Sequence, residues 1–153
     1  MTIQQVHTYL HDLEKSLTSE KIIQKIQLTR IWANQFPIHA GVYLIREKGV
    51  ISYVGETGSI RERMKDLLNT QNHVIRRNIG NTKYKDNLGW EKATSHKKFI
   101  PEIEKKLNKW IESHLTISVL KVDLGRKELE EYLFEKHKPK YNNKGKRACK
   151  DDC

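Results

Sequence analysis

Two short apolar runs, each carrying one tyrosine, flank a turn that ends in glycine. The runs are residues 41–45 (GVYLI) and 50–54 (VISYV), and the turn covers residues 46–49. β-branched and aromatic residues on both sides of such a turn are typical of a β-hairpin. Side chains alternate between the two faces along each strand, but the turn interrupts the count from one strand to the next. The spacing of Tyr43 and Tyr53 therefore leaves open whether both phenols lie on one face of the sheet.

A helical pattern follows the hairpin and carries two arginines. Ser59 stands three residues before Glu62, which is the spacing of a capping box, and a helix is predicted over residues 59–69. At about 100° per residue, Arg63 lies beside the apolar stripe of this helix and can point towards the hairpin. Arg61 lies elsewhere on the helix, and we expect it on the surface.

The remaining pattern predicts an α+β fold, with a small, mostly antiparallel three-stranded sheet flanked by helices. Residues 1–36 are expected to form two helices, separated near residues 18–21 and ended by Pro37. Downstream, the periodicities predict a helix over 101–112, a strand over 115–122 and a helix over 126–136. We expect the chain to divide into three parts: a helical arm at 1–37 packed on the core, a domain at 38–145 and a flexible basic tail at 146–153.

The charge balance points to a polyanionic partner. The chain has 153 residues and a formal net charge of +10, which favours nucleic acid or an anionic membrane surface, unless the protein is simply basic and soluble. No stretch approaches the roughly 20 apolar residues that span a bilayer, and no signal pattern opens the chain. The two cysteines, Cys149 and Cys153, do not form a disulfide framework. We therefore predict a cytoplasmic protein without membrane association.

Residues 70–98 form a long polar segment in which tyrosine and tryptophan are interleaved with basic and amide side chains. Such side chains reach base edges and phosphates, and aromatic rings stack on bases. One interpretation is a DNA-facing insertion, and the other is a solvated loop with a short helix near residues 73–79. On the first interpretation, the candidate DNA contacts in this segment are His73, Arg76, Arg77 and Lys83. Lys140, nearer the C-terminus, is a further candidate.

Two separated blocks of this sequence resemble the GIY-YIG nuclease family. The first is Gly41-Val42-Tyr43 followed by Tyr53-Val54-Gly55, with Arg61 and Arg63 on the next helix. The second is a glutamate, Glu130, followed nine residues later by the closing sequence Pro139-Lys140-Tyr141-Asn142. The resemblance covers roughly residues 40–145 and leaves the N-terminal arm unaccounted for. It implies a small mixed sheet with flanking helices and metal-dependent hydrolysis of DNA.

The resemblance also implies a set of catalytic residues: Tyr43, Tyr53, Arg63, Glu130 and Asn142. Tyr43 would be the general base or would position the water, Arg63 would favour its phenolate and grip the phosphate, and Tyr53 would bind the phosphate or order Tyr43. Glu130 would hold a hard divalent cation, Mg²⁺ or Mn²⁺, and Asn142 would hold the site by hydrogen bonds. Each residue has a plainer structural interpretation, and Glu131 rivals Glu130 because the helix phase depends on where the helix begins.

The sequence departs from the family pattern at two positions. Many relatives carry a lysine where this chain has Glu56, which would be either an extra ligand or a surface group. Lys65 or Lys83 would then supply the missing charge. Some relatives carry a histidine where this chain has Leu67, and His73 is the nearby substitute.

From these residues we predict a Mg²⁺-dependent endonuclease acting on double-stranded DNA. Cleavage is expected to be sequence-specific, as in a restriction system, with a homodimer on DNA compatible with cutting both strands. The alternatives are a repair or structure-specific nuclease and a non-catalytic DNA-binding module, for which Glu56 would mark a degraded site.

Overall fold

The computed structural model describes residues 1–143, and its centre is a four-stranded antiparallel sheet in the order β1-β4-β2-β3. In chain order, the elements are helix α1 (Ile3–Leu17), a 3₁₀ turn (Glu20–Ile22), β1 (Gln24–Lys25), α2 (Arg30–Ala33), β2 (Gly41–Glu47), β3 (Val50–Thr57), α3 (Ile60–Asp66), α4 (Val74–Lys83), α5 (Pro101–His114), β4 (Leu115–Lys121) and α6 (Arg126–His137). The α+β class is confirmed, with one strand more than predicted. The residues predicted as a basic tail, with both cysteines, lie outside the described part of the chain.

The extra strand lies where a second N-terminal helix was predicted, and that prediction is wrong. Ile22, Ile23 and Ile26 have helical spacing, but after the 3₁₀ turn that ends at Ile22 the chain is extended, and Gln24 and Lys25 pair antiparallel with β4. β-branched side chains fit an extended chain at least as well as a helix. Only the four residues of α2 remain helical, with the Thr29 side chain capping them.

The hairpin β2–β3 has a two-residue turn formed by Lys48 and Gly49. Both residues have positive φ angles, 51° and 80°, which gives the turn the twist that suits a hairpin. Tyr43 pairs with Gly55, and Tyr53 pairs with Ile45, whose side chain shares a face with that of Tyr43. Both phenols therefore lie on the same face of the sheet, with ring centroids 5.9 Å apart.

Each face of the sheet is covered by its own apolar cluster. Helices α3, α4 and α5 pack on the face that carries Tyr43 and Tyr53, and α1 and α6 pack on the face that carries Val42, Leu44 and Val54. Helix α1 is tied to α6 by the buried carboxylate of Glu14, which lies 2.9 Å from Nζ of Lys136 and 3.3 Å from Nε2 of His137. Within residues 1–143, no helix is both long and apolar enough to cross a membrane.

The polar segment between α3 and α5 is more ordered than a solvated loop. It contains α4, a helix longer than the short one predicted, and the side chain of His73 caps its N-terminus. The rest of the segment is pinned to α4, because Trp90 donates from Nε1 to the Gly80 carbonyl and Asn81 exchanges two hydrogen bonds with the backbone of Ala93. This segment thus covers the tyrosine face of the sheet.

Candidate functional site

The site is built around Tyr43, whose ring lies across the neighbouring strand at Gly55. A Cβ atom at Gly55 would stand 2.4 Å from Cζ of Tyr43 and 2.5 Å from its hydroxyl oxygen, so only glycine leaves room for the ring. The ring is completely buried, and Tyr53 is almost so. The glycine of the second tripeptide therefore has a packing reason: it lets a phenol reach across β3 towards the edge of the sheet.

Two nitrogen donors converge on the Tyr43 hydroxyl. Nε of Arg63 donates to it at 3.1 Å, as the helix phase predicted for an inward-pointing arginine. Nε2 of His73 lies 2.8 Å from it, and the Ile75 amide donates to Nδ1 of the same ring at 3.1 Å. A neutral imidazole that accepts at Nδ1 carries its proton on Nε2, so His73 is the second donor to Tyr43.

The protonation of Tyr43 differs from what the sequence suggested. Arg63 was expected to favour the phenolate, and its charge does lower the pKa of Tyr43. Complete burial has the larger effect, the neighbouring Tyr53 adds to it, and together they raise the pKa of Tyr43 well above its usual value of about 10. In the free protein, Tyr43 is therefore a neutral phenol at physiological pH.

Arg63 is held in place by a second set of partners. Its Nη1 donates to Oδ2 of Asp66 and to the carbonyl of Asn72, each at 3.0 Å. Burial alone would lower the pKa of Arg63, but the nearby phenols and Asp66 outweigh it and raise the pKa, so the guanidinium stays charged. Arg61, expected on the surface, is half-buried and donates from Nε to the Phe36 carbonyl at 2.8 Å, which fastens α3 to the N-terminal segment.

The start of α3 also differs in detail from the prediction. The Ser59 side chain accepts from the Glu62 amide at 3.4 Å, as a capping residue should. The Ser59 amide, however, donates to Oγ1 of Thr57 at 3.1 Å rather than to Glu62. The predicted capping box is thus half formed, and the reciprocal bond comes from the residue that ends β3.

The outer edge of β3 receives its hydrogen bonds from the C-terminal block. Asn142 accepts from the Val54 amide at 2.9 Å and donates to the Val54 carbonyl at 2.8 Å, so its side chain imitates a neighbouring strand. One residue pair further along, Oε2 of Glu130 accepts from the Glu56 amide at 3.0 Å. The glutamate and the asparagine of the second block are therefore fixed to the same strand that carries Tyr53 and Gly55.

Glu130 lies near the phenol and not on the solvent face of its helix. The Tyr43 hydroxyl touches Gly55, and Glu130 contacts the next residue, so the two oxygen-bearing groups lie within about 10 Å of each other by standard backbone dimensions. Glu130 is buried with 6% of its surface exposed, whereas its rival Glu131 is exposed. The helix phase thus favours Glu130 as the residue that faces the site.

The donor set at this edge fits a hard divalent cation with few protein ligands. In the described ranges, no group of three or more histidine, cysteine or acidic residues converges as an all-protein metal cage would require. Mg²⁺ is commonly held by one or two carboxylates and completes its shell with water and phosphate oxygens. Glu130 supplies one carboxylate, and a backbone amide orients it through Oε2. Carboxylate oxygens are suitable ligands for Mg²⁺ and Mn²⁺.

Glu56, which the sequence left as either a ligand or a surface group, forms an ion pair with Arg126 in this structure. Its Oε2 lies 2.9 Å from Nε of Arg126, and Nη1 of Arg126 lies 3.3 Å from the Thr57 carbonyl. The two lysines suggested as replacement charges are elsewhere, since Lys65 pairs with Glu62 and Lys83 lies over the Trp110 ring. Arg126 was missed in the sequence, although it stands one helical turn before Glu130 and therefore on the same face of α6.

The candidate DNA contacts divide into buried and accessible residues. Arg76 is a wrong prediction, because it is 1% exposed and binds Glu104 at 3.3 Å and the Leu67 carbonyl at 3.2 Å inside the protein. His73 is also buried and belongs to the tyrosine cluster instead of an outer surface. Arg77 is half-buried, and Lys83 and Lys140 are exposed.

The solved structures that this chain resembles include forms of the GIY-YIG N-terminal endonuclease domain of UvrC from Thermotoga maritima. A point mutant bound to its catalytic divalent cation has a TM-score of 0.44 at 22% identity, with 82% of this chain and 99% of that chain covered. The magnesium-bound form has a TM-score of 0.40 at 21% identity and the same coverage. No protein-family model and no curated protein sequence matches the chain. The solved domains bear the name of the family that the two sequence blocks resemble.

Proposed function

We propose that this protein is a metal-dependent endonuclease that hydrolyses phosphodiester bonds in double-stranded DNA. The observation that supports this most strongly is the convergence of Arg63 and His73 on the buried hydroxyl of Tyr43, beside a strand edge that holds Glu130. A buried phenol with two nitrogen donors is an unusual use of three polar side chains, because each would be better solvated in water. The net charge of +10 suits a polyanionic substrate.

In this proposal Tyr43 acts on the attacking water. The phenolate form accepts a proton from water as the new P–O bond forms and the bond to the leaving oxygen breaks, and the leaving oxygen takes a proton from solvent. The N–H groups of Arg63 and His73 stabilise the negative oxygen of the phenolate, and they are already in place before the reaction. Preorganised donors of this kind cost no rearrangement at the moment of reaction.

The remaining site residues have supporting roles. Tyr53 packs beside Tyr43 and His73, with ring centroids 5.9 Å and 5.1 Å away, and orders the cluster or binds a phosphate oxygen. Glu130 would hold Mg²⁺ or Mn²⁺, which when bound offsets the negative charge that develops on the phosphate. Asn142 fastens the segment that follows α6 to β3 through its two bonds to Val54.

Plasmid cleavage tests the proposal directly. Supercoiled plasmid is incubated with protein and Mg²⁺, and the same mixture with a chelator is the control. Nicked or linear product that depends on the metal supports an endonuclease. Binding of duplex DNA with no metal-dependent product, even at high protein concentration, would favour a non-catalytic DNA-binding module instead.

We further propose that cleavage is sequence-specific, as in a restriction system. The support is the ordered segment around α4, which lies next to the tyrosine cluster and exposes amide and basic side chains beside it. Sequencing the ends of cleaved plasmid tests this, and it also reveals whether the two strands are cut with a fixed stagger. Random ends, or cutting confined to damaged or branched DNA, would instead indicate a repair or structure-specific nuclease.

A further inference from the structure

Two guanidinium groups next to the tyrosine cluster are held by one short piece of backbone. Nη1 of Arg63 donates to the Asn72 carbonyl at 3.0 Å. Nη1 of Arg77 donates to the carbonyls of Gln71 and Thr70, at 2.9 Å and 3.1 Å. Consecutive Cα atoms are only about 3.8 Å apart, so carbonyls of neighbouring residues hold the two side chains close together.

The charge of Arg77, unlike that of Arg63, is not balanced by a nearby acid in the described part of the chain. Arg63 has Asp66 at 3.0 Å, but Arg77 has no carboxylate within ion-pair distance among residues 1–143. Burial, followed by the charge of Arg63, lowers the pKa of Arg77, as expected for a like-charged neighbour in a partly buried place. Bringing two cations together costs free energy, which an anion bound between or beside them would recover.

The backbone that holds the two arginines is itself held in place by buried side chains. The Thr70 hydroxyl is completely buried, donates to Oε2 of Glu104 at 2.7 Å and accepts from Nε of Arg76 at 3.0 Å. Arg76 also pairs with Glu104 at 3.3 Å, which joins the loop to helix α5. The buried Arg76 therefore supports the loop that positions Arg77, and Arg77 is oriented before any substrate arrives.

We propose that Arg77 binds a DNA phosphate adjacent to the one that is cut, so that Arg63 and Arg77 together grip two neighbouring phosphates of one strand. This inference rests on the proposed nuclease function, because it takes the phosphate at Arg63 to be the scissile one. Arg77 then sets the position of the strand relative to Tyr43. A guanidinium suits this role because it can bind backbone carbonyls and a phosphate oxygen with different N–H groups.

The test is the salt dependence of DNA binding, which does not require catalysis. Affinity for a duplex oligonucleotide is measured in chelator over a range of NaCl concentrations for the wild type, Arg77→Gln and Lys15→Gln. Lys15 is a matched control, because it is an exposed cation on α1, which packs on the opposite face of the sheet. Losing one phosphate contact should make the slope of log K against log [salt] shallower by about 0.9.

The expected result is a shallower slope and severalfold weaker binding for Arg77→Gln, with Lys15→Gln close to the wild type. Equal slopes for the two variants would overturn the inference while leaving metal-dependent plasmid cleavage, and so the proposed function, intact. A wild-type protein that neither binds nor cuts DNA would overturn both. If Arg77→Gln melts too early to assay, Arg77→Met, which keeps most of the apolar length of the side chain without its charge, replaces it, and a wild-type salt slope in that variant would contradict the proposed grip.

Discussion

Nε2 of His73 lies 2.8 Å from the hydroxyl oxygen of Tyr43, and the opposite nitrogen of the same ring accepts the Ile75 amide at 3.1 Å. One imidazole thus caps α4 and donates to the phenol at the centre of the site. Because the cap fixes which nitrogen carries the proton, the segment that follows α3 determines the environment of Tyr43.

Replacing His73 by asparagine should separate these two tasks. The shorter side chain keeps an oxygen that can cap α4, because asparagine is a good N-cap residue, but it does not reach Tyr43. We expect the protein to stay folded, with a melting temperature lowered by the loss of buried ring contacts, and cleavage to fall by about 100-fold, the lower end of the range for removing one preorganised donor. His39→Asn is the control, since His39 pairs with Asp123 at 2.9 Å instead. Cleavage by His73→Asn at the rate of the control would show that His73 serves only the fold.

A methyl group at Gly55 should disturb the site through packing. The new Cβ would stand 2.4 Å from the Tyr43 ring, which has no space to retreat in a buried cluster. We expect Gly55→Ala to lose cleavage and to lower the free energy of unfolding by about 1–3 kcal/mol, the usual cost of overpacking. Gly58→Ala is a matched control, because its nearest neighbour, a nitrogen of Arg126, is 3.8 Å away. Equal stability and activity in the two variants would contradict the assigned packing.

Glutamine at position 130 should weaken metal binding specifically. The amide oxygen still accepts from the Glu56 backbone, so the fold is retained, but the charge that attracts a divalent cation is lost. Loss of a residue that only hydrogen-bonds to a metal ligand typically weakens metal affinity roughly 10–100-fold. Because Glu130 would bind the metal directly, we expect the Mg²⁺ concentration for half-maximal cleavage to rise by more than that. Glu131→Gln should behave as the wild type because Glu131 is exposed. A larger effect at position 131 would reverse the assignment.

The raised pKa of Tyr43 predicts how the cleavage rate depends on pH. Below its pKa, the fraction of phenolate grows tenfold with each pH unit, so the rate should rise with pH. We expect log rate to increase with a slope near one from pH 7 to pH 9 at saturating Mg²⁺, without a plateau. Residual cleavage by Tyr43→Phe should lack this slope. A wild-type rate that is flat above pH 7 would contradict a buried, neutral resting phenol.

Much of the fold followed from local patterns. The hairpin, the helix with Arg63, α5, β4 and α6 all have strong periodicity, and the structure has them within a few residues of the predicted bounds. The failure at residues 22–26 arose because isoleucines at helical spacing also suit an extended edge strand, and pairing with β4 decided between the two. That pairing is a tertiary effect, and spacing within a short window carries no information about it.

The candidate site could be predicted from the sequence less completely than the fold, for a similar reason. The inward direction of Arg63 is a property of one helix and could be predicted from its phase. The burial of Arg76 and the meeting of His73 with Tyr43 depend on how the segment after α3 folds back over the sheet. Polar side chains in a polar stretch look alike in sequence, whether they face solvent or a buried carboxylate such as Glu104. Only the packing of α4 against α5 distinguishes them.

The most direct test of the account is the single-turnover cleavage rate of Tyr43→Phe, measured alongside its affinity for DNA. The substitution removes one buried hydroxyl and leaves the ring packed against Gly55. If Tyr43 acts on the attacking water, the rate should fall by at least about 100-fold while DNA affinity stays near that of the wild type. A rate within about tenfold of the wild type, in a protein that binds DNA normally, would place the chemistry elsewhere and contradict the account.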